Sequence, residues 1–441
     1  MTTELDISAA PRAEGANRWL VVAVLLFVYT FNFLDRQLLS ILQEPIKQEL
    51  GLSDGQLGLM TGLAFALVYT VFGVIVGVLA DRTNRVKILC VGCTLWSLFT
   101  LICGLARSFP VMLMARAGVG VGEAAGAPPS YSIIADYFPP HKRGLALAIF
   151  GLGVPFGVAL GAAFGARIHD IWGWRAAFVS LGMIGLVSAM ILPFIVKEPA
   201  RGRFDPPDHQ FAASEGLNGY LTDFIASVKM FIATPILRYA ALAAGFSSFA
   251  SYAALNWNAS FLIRVQGADF GQIATWYALM LALSIGASML ISGAMADWMA
   301  KRSRVWYGWL PAMALVLCVP FHLLYVSAND WRMALIFLTA PSFLSSFYFT
   351  PALTISQNTA PPHQRTAAGA LYLLITNLIG LGGGPFFVGL LSDQFSQTHG
   401  PAEGLRMALY AITPFFLIAA GFLVALGFSL RAPVDGTKPA G

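Results

Sequence analysis

Gly77-Val78-Leu79-Ala80-Asp81-Arg82-Thr83-Asn84-Arg85 returns later in the chain as Gly293-Ala294-Met295-Ala296-Asp297-Trp298-Met299-Ala300-Lys301-Arg302, with 216 residues from Asp81 to Asp297. A second pair, Pro139-Pro140-His141-Lys142-Arg143 and Pro361-Pro362-His363-Gln364-Arg365, repeats at a spacing of 222 residues. An internal repeat of this length says that the chain is two related units in series. Each copy follows an apolar stretch, so the duplicated unit is a set of membrane helices with their polar connections.

Outward from these loops, apolar stretches of about 20 residues, enough to cross about 30 Å of hydrocarbon as a helix, recur along the chain. There are twelve, near 18–42, 55–80, 86–106, 110–137, 142–169, 174–196, 235–264, 270–296, 305–327, 331–358, 364–392 and 404–430, numbered below as spans 1 to 12. With 57% hydrophobic and only 11% charged residues among 441, the chain is far from a soluble domain, where about 25% are charged. Alternating ten-residue strands of a membrane barrel are not visible, so the expected class is an all-α membrane protein of two pseudo-repeated six-helix bundles. The first stretch is too long for a signal peptide and has no small-residue cleavage site, and it is expected to stay as span 1.

The boundaries follow: a first bundle over 1–196, a polar linker over 197–234 ending in an amphipathic helix from Leu217 to Ile232, and a second bundle over 235–441. Of 27 Lys and Arg, Arg36 and Arg116 fall inside the membrane, seven lie on one side and eighteen on the other. The positive-inside rule makes the richer side cytoplasmic, with both termini and the linker on it. The net charge of +5 is absorbed this way, leaving nothing for a nucleic-acid partner to explain. Cys90, Cys93, Cys103 and Cys318 all lie in apolar stretches without His or acidic neighbours, so they read as small packing residues. No metal site or cofactor is expected.

Ionisable groups in hydrocarbon cost roughly 2.5 to 3.5 kcal/mol each even on the mildest scale, and so default to functional candidates. Span 1 carries Asp35 and Arg36; span 4 carries Arg116 and Glu123. At about 1.5 Å per residue, Asp35 lies roughly 10 Å inside its outer end and Arg116 roughly 9 Å inside its own, so these two can meet. Glu123, two turns on, lies about 10 Å deeper, where it is expected to stand alone near the membrane centre. Dehydration there disfavours a charged carboxyl and a nearby Arg favours it, a balance that shifts as a cavity opens. That is what a proton carrier needs.

Shifted by 222, Asp35 falls on Trp257, Arg116 on Leu338 and Glu123 on Ser345, so the second half has lost every one of these charges. In their place it offers Asn256, Trp257, Phe347, Tyr348 and Tyr372, among other aromatic residues. Singly, each also suits ordinary packing; jointly, a charged wall facing an aromatic one suits an anionic amphipathic substrate. Gly153, Gly157, Gly161 and Gly165, at four-residue spacing on span 5, read as a close-packing ladder.

The duplicated Asp-Arg loop resembles the signature of the major facilitator superfamily. That resemblance implies two bundles that rock about a central site, with Asp81, Arg82 and Arg85 locking the cytoplasmic ends in the outward-facing state and Asp297 as the weaker second copy. Arg143, from the repeated Pro-Pro-His loop, is assigned to the same gate. Within the superfamily, Phe-Asn-Phe-Leu-Asp-Arg-Gln at 31–37, Arg-Ala-Gly-Val-Gly-Val-Gly-Glu-Ala at 116–124 and Pro-Pro-Ser-Tyr-Ser-Ile-Ile-Ala-Asp-Tyr-Phe at 128–138 are similar to the Spinster family. The resemblance implies proton-linked transport of lysophospholipid or sphingosine phosphate, carried here by Asp35, Arg116 and Glu123, with Arg36 as a head-group ligand. The chain departs from animal members in lacking long tails, which points to a bacterial inner membrane.

The expected function is therefore a proton-coupled transporter, working as a monomer amid membrane lipids, in which protonation of Asp35 and Glu123 releases Arg116 and permits rocking. Two alternatives stand beside it: a symporter or exporter of small organic anions or drugs, and a non-transporting scramblase or receptor. An enzyme is not expected, since no nucleophile and base, metal cluster or phosphate-binding glycine loop is evident.

Overall fold

A computed structural model describes residues 17–204, 226–360 and 365–431, and these are helical nearly throughout. Among the described residues nine spans are continuous helical runs long and apolar enough to cross a membrane. Span 7, Pro235–Arg264, is a tenth; it follows a short helix, Ala226–Ala233, across an 86° bend. Of the expected amphipathic helix in the linker only this end is described. His363 and most of the second Pro-Pro-His loop also lie outside the described residues.

The remaining two, spans 4 and 10, are broken rather than continuous. Span 4 is Phe109–Glu123 followed by Ala127–Tyr137, and span 10 is Trp331–Leu344 followed by Phe349–Thr359. Pro129 and Pro351, 222 residues apart, explain both breaks. Neither has an N–H to offer the carbonyl four residues earlier, and Pro128 withdraws a second donor in span 4. The repeat reappears in capping: Ser53 with Gln56 opens span 2 at Asp54, and Asp269 with Gln272 opens span 8 at Phe270, each as a reciprocal capping box. Both spans then pass through a single π-helical segment, Leu59–Leu63 and Ile273–Tyr277. Gly173 and Gly400, at φ +85° and +84°, make the tight turns into spans 6 and 12, where a side chain would be strained.

The span 5 ladder packs on span 1. A Cβ added at Gly157 would lie 2.4 Å from the Thr30 carbonyl oxygen, and one at Gly161 would lie 2.7 Å from Gln37 Cβ. This contact fixes the segment that carries Asp35 and Arg36. Taking the face where span 1 begins and span 12 ends as the terminal face, the two halves come together at the opposite, distal face. There the start of span 2 lies on span 11, with Gly389 so close that a Cβ would meet the Asp54 carbonyl oxygen at 2.3 Å. Span 5 lies along span 8 as far as mid-depth, where Pro155 faces Gly286.

Candidate transport site

Span 1 offers Asp35 and Arg36 as consecutive residues, which a helix directs about 100° apart. The structure gives each a different partner on span 4. Arg116 Nη1 donates to Asp35 Oδ2 at 3.0 Å, and Thr100 Oγ1 from span 3 donates to Asp35 Oδ1 at 2.7 Å. This pair is sealed, with 1–2% of either side chain exposed. Arg36 Nε donates to Glu123 Oε2 at 2.6 Å, and here the Arg side chain keeps 15% exposure. The expectation that Glu123 lies alone is overturned. Helical side chains lean toward the N-terminus, so the long Arg36 side chain reaches from its turn toward the terminal face and Glu123.

The two pairs share one aromatic plate. The guanidinium of Arg36 lies 5.1 Å from the Phe65 ring centre and that of Arg116 lies 5.2 Å from it, while Tyr69 and Phe33 flank Arg36 at 4.6 and 5.0 Å. Cation and ring attract most when water is excluded, and Phe65 is 1% exposed. Among the described residues Glu123 Oε1 and Arg116 Nε have no hydrogen-bond partner. From the second half, Tyr252 of span 7 lies within electrostatic reach of both Arg36 and Glu123.

The other second-half candidates are arranged differently. Asn256 accepts from Ser40 Oγ at 2.8 Å and so joins spans 1 and 7. Trp257 is fully buried and donates its indole N–H to the Pro385 carbonyl at 2.9 Å. Phe347 packs with Ala296, Leu310 and Ala314. Tyr348 bonds Ser248 Oγ at 2.5 Å, and Tyr372 is buried in the same core. In this conformation these four rings belong to second-half packing, and Tyr252 is the second-half ring that interacts with the charges.

The loop residues assigned to a gate spread over both halves. Arg85 is buried within the first half: its Nε donates to Glu198 at 2.7 Å, its Nη1 to Ser132 Oγ at 2.8 Å and to Asp136, and its Nη2 to the Pro199 carbonyl at 2.9 Å. Arg143 donates to the Ala135 carbonyl at 2.9 Å. Arg82 is exposed at the end of span 2, and the side chain of Asp81 is outside what the structure describes. Asp297 accepts from Tyr307 at 3.1 Å within the second half.

At the distal face the halves are joined by a set of charges carried on the ends of spans 7 and 11 and on the connection between spans 1 and 2. Arg264, at the end of span 7, donates to Glu44 at 2.7 Å and to Asp54 at 2.6 Å. Asp54 also holds Lys47 at 2.6 Å and Ser392 at 2.6 Å. Asp393 of span 11 accepts the Asp54 and Gly55 N–H groups at 2.9 and 2.7 Å, completing the N-terminus of span 2 from the other half. Ser260 adds a bond to Gln43 at 3.1 Å.

Known proteins resemble this chain in sequence and in fold. The sequence model of the Major Facilitator Superfamily matches residues 25–325. An MFS-type efflux pump of Mycolicibacterium smegmatis is 30% identical over 406 residues, covering 92% of this chain and 91% of that one. Protein spinster homolog 1 of Xenopus tropicalis is 26% identical over 426 residues, covering 92% and 80%. Among solved structures, a bacterial homolog to the human lysosomal transporter Spinster, inward-facing and unoccupied, superposes with a TM-score of 0.82 at 29% identity, covering 96% of this chain and 99% of that one. The occupied inward-facing form gives 0.81 at 28% identity, covering 97% and 100%. With the family match over most of the chain, the two-fold repeat and the closed distal face, the chain belongs to the major facilitator superfamily and is, within it, an alternating-access transporter of the Spinster type.

Proposed function

We propose that this transporter is proton-coupled and moves an anionic amphipathic lipid, of the lysophospholipid or sphingosine phosphate kind, with its terminal face in the cytoplasm of a bacterial cell. The observation that carries the reading is the unequal burial of the two pairs: Asp35 and Arg116 are sealed, while Arg36 is partly open and bound to Glu123. An arriving phosphate or carboxylate takes the place of Glu123 on Arg36. The displaced carboxylate, buried and unpaired, then favours a proton. Substrate anion and proton thereby load together, and the net charge of the centre is the same before and after.

In this reading Phe33, Phe65, Tyr69 and Tyr252 receive the apolar body beside the head group. Asn256, Trp257, Phe347, Tyr348 and Tyr372 become part of that wall through movement of the second half. Rocking about Asp35 and Arg116 exchanges the distal closure for one at the terminal face, where Asp81, Arg82, Arg85, Arg143 and Asp297 lie. One chain holds both halves, so the monomer is the working unit.

The test is lysophospholipid flux in proteoliposomes with an imposed pH gradient. Wild type should follow the gradient, and Glu123→Gln should bind substrate without following it. Gradient-independent flux in wild type, unchanged in Asp35→Asn, would sink the coupling. A second reading, export of apolar organic compounds, is favoured by the similarity to the Mycolicibacterium smegmatis efflux pump. Competition between lysolipids and cationic dyes for the purified protein separates the two readings, because Arg36 favours an anion.

A further inference from the structure

The loops between spans 2 and 3 and between spans 8 and 9 are repeats of each other, yet their charges are handled in opposite ways. In the first half Arg85 is turned inward, 1% exposed, and neutralised by Asp136 and Glu198. In the second half Lys301, at the position of Arg85 under the 216-residue spacing, is exposed, as are Arg302 and Arg304. Asn358 stands where the 222-residue spacing would put a counterpart of Asp136. Arg431, beyond span 12, is a fourth cation at the terminal face, with its guanidinium 4.6 Å from the Trp309 ring centre and 4.7 Å from that of Phe428. Among the described residues none of the four forms a salt bridge.

Two of these cations, Lys301 and Arg304, line a recess of about 400 Å³ together with Asp297, Ala300, Tyr307 and Ile355. Among its described lining residues the one carboxylate, Asp297, already accepts from Tyr307. Arg302 lies 4.7 Å above Trp298, and Trp298 and Phe428 are each more than half exposed beside the cations. Exposed aromatic rings at the end of a span sit at the level of lipid head groups, and clustered Lys and Arg just outside a span attract anionic lipid. We propose that this loop is a binding site for an anionic phospholipid of the adjoining leaflet, its phosphate between Lys301 and Arg304 and its glycerol and upper chains against Trp298 and Phe428. The site is separate from the transport centre and holds a lipid that is not cargo. It rests on the membrane reading of the chain but not on the lipid reading of the substrate.

The test uses the full chain in neutral detergent, following thermal unfolding with phosphatidylglycerol, phosphatidylcholine or inorganic phosphate. Phosphatidylglycerol should raise the melting temperature and the other two should not. Each of Lys301→Gln, Arg304→Gln and Arg431→Gln should weaken phosphatidylglycerol by about fivefold. Arg36→Gln, at the transport centre, should leave that binding in place. Equal effects of the two lipids, or an effect reproduced by phosphate, would overturn the site. So would phosphatidylglycerol binding that survives the loop substitutions and disappears in Arg36→Gln, which would make that lipid a transport-site ligand. Should the variants not fold, the wild type decides: its phosphatidylglycerol affinity must fall as salt rises, and a salt-independent affinity rejects the proposal.

Discussion

The molecule contains two ionic assemblies of similar composition and opposite placement. At the centre, Asp35, Arg36, Arg116 and Glu123 all belong to the first half, and their bonds join span 1 to span 4. At the distal face, Glu44 and Asp54 come from the first half and Arg264 from the second, so their bonds cross the seam. Bonds inside one bundle move with it and survive rocking; bonds across the seam must break for the distal face to open. The central set is therefore suited to sensing what is bound, and the distal set to holding the state.

The largest effect should come from breaking the sealed central pair. Arg116→Ala strands Asp35 as a buried, unpaired charge and should cost about 3–5 kcal/mol of stability, read as a large fall in melting temperature together with loss of transport. If the variant is as stable as wild type, the pair is not sealed. Next, Arg264→Gln removes charge-assisted bonds to two acids and should shift the balance toward an open distal face on the order of a hundredfold. Spin labels on the distal ends of spans 2 and 11 would report it as a longer distance; an unchanged distance distribution would assign closure to packing alone.

A smaller effect is expected from Gly157→Ala, whose added methyl group meets the Thr30 carbonyl and pushes span 1 off span 5. Overpacking of this kind costs about 1–3 kcal/mol and should weaken substrate binding more than it alters the distal distance. The smallest effect belongs to Glu49, an exposed residue between spans 1 and 2. Hydrogen bonds from Trp174 and Arg175 hold its carboxyl below the ordinary range. A lowered carboxyl contributes stability above its unfolded pKa and loses it as pH falls through its folded value. Glu49→Gln should thus be slightly less stable than wild type at neutral pH, by less than about 1 kcal/mol, and indistinguishable from it in acid.

The fold was legible because hydropathy and an internal repeat both survive in one sequence. The Asp35 and Arg116 pairing was legible too, since depth along two helices needs only a rise per residue. What depth does not supply is direction. Arg36 and Asp35 differ by one residue and by about 100° of rotation, so the Arg36 and Glu123 pair escaped an argument made from depth. The same gap explains Trp257 and Phe347, whose type was evident but whose inward packing depends on which way each helix is turned. Arg264 and Asp54 were missed because charges at span ends ordinarily face water, and only the meeting of two halves brings them together. The interruptions in spans 4 and 10 did leave a trace, in Pro128, Pro129 and Pro351, but an apolar run reads as continuous through a proline.

Span 2 begins on N–H groups that are satisfied by Asp393, a residue of the opposite bundle. Separating the bundles leaves those donors, and the carboxylate they held, bare until solvent reaches them. Opening of the distal face is thus in part a wetting event, with water taking over as the helix cap. Osmolytes that lower water activity should then prolong the closed state even where no residue has been changed.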